Sequence, residues 1–487
     1  MSCTTVLVGR NASHDRSTMI ARTDDGSFDV KKIVVVTPDK QPRKYKSVLS
    51  HLEIDLPDAP LRYTACPSVD KKDGIWAATG INEKNVGMTA TETITSNPRV
   101  LAADPLVVYD KEAAGHGKPA PGGIGEEDIV VLVLPYIRSA REGVLRLAEL
   151  IEKYGTYESN GIAFNDRDEV WWMETIGGHH WMARKLPDDM CAILPNRFAM
   201  NEFDLDDAFG EKKTHLCSKD LREFIAENRL DLNPEGTFDP RYVFGSHTDM
   251  DHIYNTPRSW FMGRYLTPKS HRWDGPDAEY GPESDDIPWA LRPDKLVTAE
   301  DVKYLLSAHF QGTPYDPYAA KDTGLRGRYR SIGINRTGVT TICQIRGDMP
   351  EGIRGVEWVC FGPTTFSAAL PLYANVPDMP RYLKKVTLDV DTNTFYWASR
   401  LIAALTDPHY PDAIQSVWRY QDAVNVNGRK IIAEYDKKFT LSGDPALLTE
   451  ANEALAAMAV KETGKALRQV LGTASLKMKD GYSLADH

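Results

Sequence analysis

The 487-residue chain has only six cysteines and no CxxC pair. Cys3, Cys66, Cys191, Cys217, Cys343 and Cys360 are scattered, which speaks against a disulfide framework or a thiolate zinc site. Such a pattern fits a reducing compartment, with most cysteines acting as small buried hydrophobes. Long apolar runs are missing as well: no stretch approaches the ~18 residues of a membrane span. The N-terminal Met1-Ser2-Cys3-Thr4-Thr5 has neither the basic leader nor the apolar core of a secretory signal. Positive charge is the scarcer sign, 58 Lys and Arg against 69 Asp and Glu, for a net charge of −11. Nucleic-acid binding needs a basic face, so that class is disfavoured. Neither GxGxxG, nor a P-loop, nor HExxH occurs. What remains is ordinary: 42% apolar and 26% charged residues, enough to bury a layered core and too much for disorder as the main state.

Along the chain, residues 4–8 and 18–22 read as two strands of a hairpin joined by a turn-forming stretch. Residues 33–36, 75–78 and 86–90 are further strands. Val144, Leu147, Ala148 and Ile151 recur at helical spacing within 141–154, and Gly155 ends that helix. Residues 161–164, 169–174 and 180–184 are consecutive strands. Thr298-Ala299-Glu300-Asp301 resembles a capping box, and strands return at 340–345 and 356–361. The Asp-, Pro- and Gly-rich stretch 207–293 reads as a loop-rich insertion. From 394 onward the pattern is mainly helical. Blocks of strands followed by helices indicate an α+β layered domain over 1–393, with 394–487 a helical C-terminal extension packed on it.

Cys3 is the most informative residue for chemistry. It opens a strand at the extreme N-terminus, preceded by Met1 and the small Ser2. If both are removed, a thiol of ordinary pKa about 8.5 stands beside an α-amine of about 7.7–8.0. Nucleophile and base are then one residue. A buried strand cysteine with no role is the plain alternative. Arg22-Thr23-Asp24-Asp25 after the second strand, the turn Gly80-Ile81-Asn82-Glu83-Lys84, and Pro195-Asn196-Arg197-Phe198 are each common in turns when taken singly.

Together they resemble the cysteine members of the N-terminal-nucleophile hydrolases, and most closely the dipeptidase A family of lactic-acid bacteria with its relatives the secernins. The resemblance covers nearly the whole chain. Besides these motifs it includes Cys3-Thr4-Thr5, the run from Val170-Trp171-Trp172 to Gly177-Gly178-His179-His180-Trp181, Tyr254-Asn255-Thr256-Pro257-Arg258 and Pro371-Leu372-Tyr373. The resemblance implies a four-layer αββα sandwich and a cysteine dipeptidase working through a thioester. By position it makes Cys3 the nucleophile, Arg22 the cation beside the thiol and Asp25 the carboxylate holding the amine. Asn82 and Asn196 become the asparagines around the oxyanion, and Arg258 a later supporting arginine. It further implies short peptide substrates, a homo-oligomer, a cytoplasmic location, no metal or organic cofactor, and no membrane or nucleic-acid partner. A linear-amide acylase of the bile-salt hydrolase type and a secernin-like non-catalytic protein are the alternatives.

Some signals are set aside. His247, Asp249, Asp251 and His252 are valid metal-ligand types without a recognised spacing, and read as a polar loop. The run Pro119-Ala120-Pro121-Gly122-Gly123-Ile124-Gly125 reads as a surface loop rather than a phosphate cradle. Trp171, Trp172 and Trp181 read as core rather than a substrate wall, and His179 and His180 as structural.

Overall fold

The computed structural model describes residues 3–26, 29–112, 119–233, 236–321 and 324–478. Met1 and Ser2, on which the processing expectation falls, lie outside these residues. The hairpin is present: β1 (Thr4–Val8) runs antiparallel to β2 (Ser17–Asp24), with Thr5 opposite Arg22 and Leu7 opposite Ile20. Among the described residues these two strands lie in a seven-stranded antiparallel sheet. Its order is Ala290–Leu291, Cys191–Leu194, β1, β2, Val339–Arg346, Gly355–Phe361 and Leu370–Tyr373. A second antiparallel sheet runs His215–Cys217, His180–Lys185, Val170–Ile176, Asn160–Asn165, Gly87–Thr89 and Thr79–Ile81. The short strand Glu92–Thr93 also pairs with Asn160–Asn165.

Three apolar clusters explain why both faces of the central strands are covered. Leu7, Ile20, Ala192 and Cys343 of the first sheet meet Ala163, Trp172 and Met182 of the second. Val6, Val8, Met19 and Ala21 point the other way, into a cluster shared with helices. That cluster takes in Trp260 and Phe261 of helix Thr256–Leu266 and Leu455 of helix Ala446–Leu476. On the far side of the second sheet, Phe164, Trp171 and Met173 pack under Val144, Leu147 and Ile151 of helix Ala140–Tyr154. Alternation along each strand therefore sorts residues between two interiors rather than between core and solvent. Trp171 and Trp172 are fully buried, so they are core.

Helix Ala140–Tyr154 starts on Ser139, whose side chain accepts from the Glu142 N–H, and stops at Gly155 with φ +70°. The capping box at Thr298 and Asp301 is present. The C-terminal region forms helices Phe395–Thr406, Tyr410–Ser442 and Ala446–Leu476. Asn452 bonds both backbone groups of Tyr373 at the edge of the first sheet, which blunts that edge. Among the described residues, no helix is long and apolar enough to cross a membrane.

Three readings differ from the structure. Residues 75–78 form no strand; the strand is Thr79–Ile81. Trp76 sits at φ +51°, a left-handed conformation that ends extended pairing. The stretch 207–293 is more regular than its composition suggests, since it contributes an edge strand to each sheet and helix Thr256–Leu266. The glycine run is a surface loop only over Pro119, Ala120 and Pro121; Gly122, Gly123, Ile124 and Gly125 are buried. Close backbone approach requires glycine there: a Cβ on Gly123 would lie 2.5 Å from the Gly155 carbonyl. Gly123→Ala should therefore destabilise the protein by about 1–3 kcal/mol. Gly472→Ala, in open space on helix Ala446–Leu476, should stabilise it by up to about 1 kcal/mol. Urea unfolding of both variants checks the contrast.

Candidate active site around Cys3

Strand alternation places Cys3 and Thr5 on one face of β1, and cross-strand pairing sets Arg22 opposite Thr5. The Arg22 guanidinium donates to the Cys3 sulfur at 2.9 Å. The same nitrogen contacts Glu126 and lies 3.5 Å from the Asp24 carboxylate, while its twin donates to the Ala78 carbonyl at 3.4 Å. Lys31 closes the group, 2.7 Å from Asp24. All of these side chains are buried.

Burial works against the Arg22 charge, but the Cys3 sulfur in its thiolate form, then Glu126, Asp24 and Glu92, outweigh it and keep the guanidinium protonated. Burial likewise opposes the Asp24 charge, and Lys31 and Arg22 pull its pKa below the usual range. Burial pushes the Cys3 thiol well up; Arg22 draws it down, and Glu126, Glu92 and Asp24 push it up again. Burial therefore favours the neutral thiol, and nucleophilic use of the sulfur calls for a base.

The other side of β1 carries a second network. Arg258, fully buried on helix Thr256–Leu266, reaches the Cys3 carbonyl and donates to the Thr4 hydroxyl at 2.7 Å. Its other terminal nitrogen donates to Asn196 Oδ1 and Asn255 Oδ1, both at 2.8 Å. Asn196 in turn donates to the Thr93 carbonyl at 2.9 Å. These acceptors are all neutral, and burial followed by repulsion from Arg330 lowers the Arg258 pKa to about 9. Asp25 accepts from Arg330 and Thr337, each at 2.6 Å, and from the Thr23 hydroxyl at 3.0 Å. Thr23 accepts from the Thr4 N–H at 3.0 Å, so Asp25 is tied to the backbone directly after Cys3.

Cys3, Arg22, Asp25, Asn196 and Arg258 thus share one hydrogen-bond network. Asn82 is outside it. Its amide donates to the Leu134 and Ile137 carbonyls at 2.9 and 2.8 Å and accepts from the Lys84 and Val86 N–H groups. Its oxygen closes its own turn and its nitrogen ties that turn to the Leu134 and Ile137 carbonyls, so the side chain holds structure where an oxyanion contact was expected. Sequence reasoning missed Asp24, Lys31, Glu92, Glu126 and Arg330. Period-two alternation would have found Asp24, which shares a strand face with Arg22. No local signal links Glu126 or Arg330 to Cys3.

Among the described residues, Cys3, Asp24 and Glu126 are the group whose ligand atoms lie close enough for a metal, within 4.8 Å of one another. Arg22 stands among all three, so an ion there would have to displace the guanidinium. His252 instead faces Asp285 at 3.0 Å, and Asp251 bonds Asn255 and the Thr248 N–H. Asp104 clamps His179 and His180 at 3.0 and 2.7 Å, a structural role at the Gly177-Gly178 turn. A cavity of about 500 Å³ opens beside the network, lined among others by Thr93, Asn196, Asp251, Tyr254, Asn255 and Arg336. A more apolar cavity of about 440 Å³ around Trp397 and Leu401 lies away from the thiol.

A buried thiol gripped by a guanidinium, in a network whose Asn196 lines a polar cavity, defines a cysteine-centred site. The sequence pattern of Peptidase family C69 matches residues 2–423, and the chain belongs to that family. It is 46% identical to a protein named "Dipeptidase" from Bifidobacterium longum (strain NCC 2705), over the full length of both chains. It is 45% identical to a "Probable dipeptidase A" of Streptococcus pyogenes serotype M18 (strain MGAS8232), covering 100% of this chain and 98% of that one. Identity to the "Dipeptidase A" of Lactobacillus helveticus is 41%, covering 99% of each.

Arg22→Gln should slow alkylation of Cys3 at fixed pH and move its pH profile upward, since the group that lowers the thiol pKa is gone. Arg22→Lys should fall between, keeping charge without the fork. Mass spectrometry of the Cys3 peptide after timed iodoacetamide exposure measures this, alongside a thermal melt to register the loss of a buried ion pair.

Proposed function

We propose that the chain is a cysteine dipeptidase whose mature form begins at Cys3. The observation that carries the reading is the Cys3 sulfur held 2.9 Å from Arg22 directly before β1. Family membership and the names of the three relatives support it, and they lend nothing to the acylase or non-catalytic alternatives. The two sheets with helices beyond each support the αββα sandwich of the N-terminal-nucleophile hydrolases.

In this reading the free Cys3 amine takes the thiol proton, and Arg22 stabilises the thiolate. The sulfur attacks the peptide carbonyl, and Asn196, oriented by Arg258, donates to the oxyanion. Collapse breaks the C–N bond, the proton passes to the leaving amine, and the acyl group stays on sulfur as a thioester. Water then hydrolyses the thioester, with the same amine as base. Asp25 fixes the chain end through Thr23. The six free cysteines support a reducing, cytoplasmic setting, and a homo-oligomer, the remaining expectation, is open to light scattering.

Intact-mass analysis of active protein should show a chain starting at Cys3; activity with Met1 or Ser2 attached would overturn the mechanism. Cys3→Ala should abolish dipeptide hydrolysis with folding intact, and Cys3→Ser should be severely impaired. Asn196→Ala should lower kcat by about 10²–10³-fold with a smaller change in KM. Chelators should leave the rate unchanged.

A further inference from the structure

Glu92 is a carboxylate that the proposed mechanism does not use. It is fully buried on the short strand Glu92–Thr93. One oxygen accepts from the Thr5 hydroxyl at 2.8 Å. The other is buried with no hydrogen-bond partner. The remaining carboxylates around Cys3 have cations bound to them: Asp24 has Lys31 and Arg22, Glu126 has Arg22, and Asp25 has Arg330. Among the described residues Glu92 is hydrogen-bonded to a neutral hydroxyl alone, with Arg258 and Arg22 acting on it only from beyond contact distance. A buried carboxylate oxygen without a partner costs free energy that a bound cation would recover.

Its position fits one particular cation. Thr5 and Cys3 share a face of β1, two residues apart, so the Glu92 carboxyl lies on the sulfur side, about 7 Å along the strand. A carbonyl under attack stands about 3–3.5 Å from the nucleophile. In a dipeptide the α-ammonium is one Cα beyond that carbonyl, which brings it within hydrogen-bond reach of Glu92. Resting on the dipeptidase reading, we infer that Glu92 receives the α-ammonium of the substrate's first residue and is the determinant that selects dipeptides over plain acyl amides. An acyl chain lacking the ammonium would bury the carboxylate unpaired. Burial raises the Glu92 pKa to about 7, against the lowering influence of Arg258, the Thr5 hydrogen bond and Arg22. The pair therefore forms best between ionisation of Glu92 near 7 and loss of the substrate's own ammonium proton at about 8, with each charge favouring the other.

The test compares alanyl-alanine with propanoyl-alanine, which differs by the missing ammonium. The wild-type enzyme should favour alanyl-alanine in kcat/KM by at least ~10²-fold. That preference should grow as pH rises through about 7. Glu92→Gln, close to isosteric, should shrink the preference to within about tenfold by losing the dipeptide while sparing propanoyl-alanine. Equal wild-type rates on the two substrates would overturn the assignment without need of any variant. So would a Glu92→Gln enzyme that slows both substrates equally, since Glu92 would then serve Cys3 rather than the substrate. Failure of the wild-type protein to cleave any dipeptide would instead sink the dipeptidase reading itself.

Discussion

A guanidinium buried among a thiol and two carboxylates is the constraint around which the rest of the site is arranged. Removing a charge from water is costly unless close, well-placed partners replace the lost hydration. Arg22 meets that requirement with partners from four parts of the chain: Cys3 at the start of β1, Asp24 on its own strand, Glu126 at the head of a helix, and the Ala78 carbonyl. Each must be delivered to within hydrogen-bond distance or the cation is stranded. The glycine run before Glu126 follows from this. Gly123 lies against Gly155 and Gly125 against Tyr157, and that tight path sets the helix start where Glu126 can reach Arg22. Lys31 is the complement on the other flank, balancing Asp24 so that the acid stays ionised beside the thiol.

Much of this was legible in the sequence, and the limits are physical. Strong local patterns were read directly: the β1–β2 pair, the helix closed by Gly155, the capping box at Thr298. Cys3, Arg22, Asp25, Asn196 and Arg258 were reached through motif resemblance, and they meet in one network. Asn82 was drawn in by the same route, yet its side chain is spent on its own turn and on the Leu134 and Ile137 carbonyls. A motif records which residues recur together, and a turn recurs for its own reasons. Trp76 escaped because no residue type announces a left-handed backbone there. Glu126 and Arg330 escaped because they approach Cys3 through tertiary structure, across more than a hundred residues of chain.

The two arginines near Cys3 do different electrostatic work. Arg22 is neutralised where it stands, by Glu126 and Asp24, so its influence is short-ranged and falls on the sulfur it touches. Arg258 binds neutral oxygens: the Cys3 carbonyl, the Thr4 hydroxyl, Asn196 and Asn255. Its charge is left uncompensated at contact distance, and a field of that kind extends further in a buried, low-dielectric site. Donating to Asn196 Oδ1 polarises the asparagine amide, strengthening the donor on the opposite side of the same group. In the proposed reaction that amide faces the developing oxyanion, so a cation that never touches the substrate would still stabilise it. Burial of Arg258, which lowers its own pKa to about 9, is what keeps water from screening the effect. The destabilisation of one side chain and the stabilisation of the transition state share that single cause.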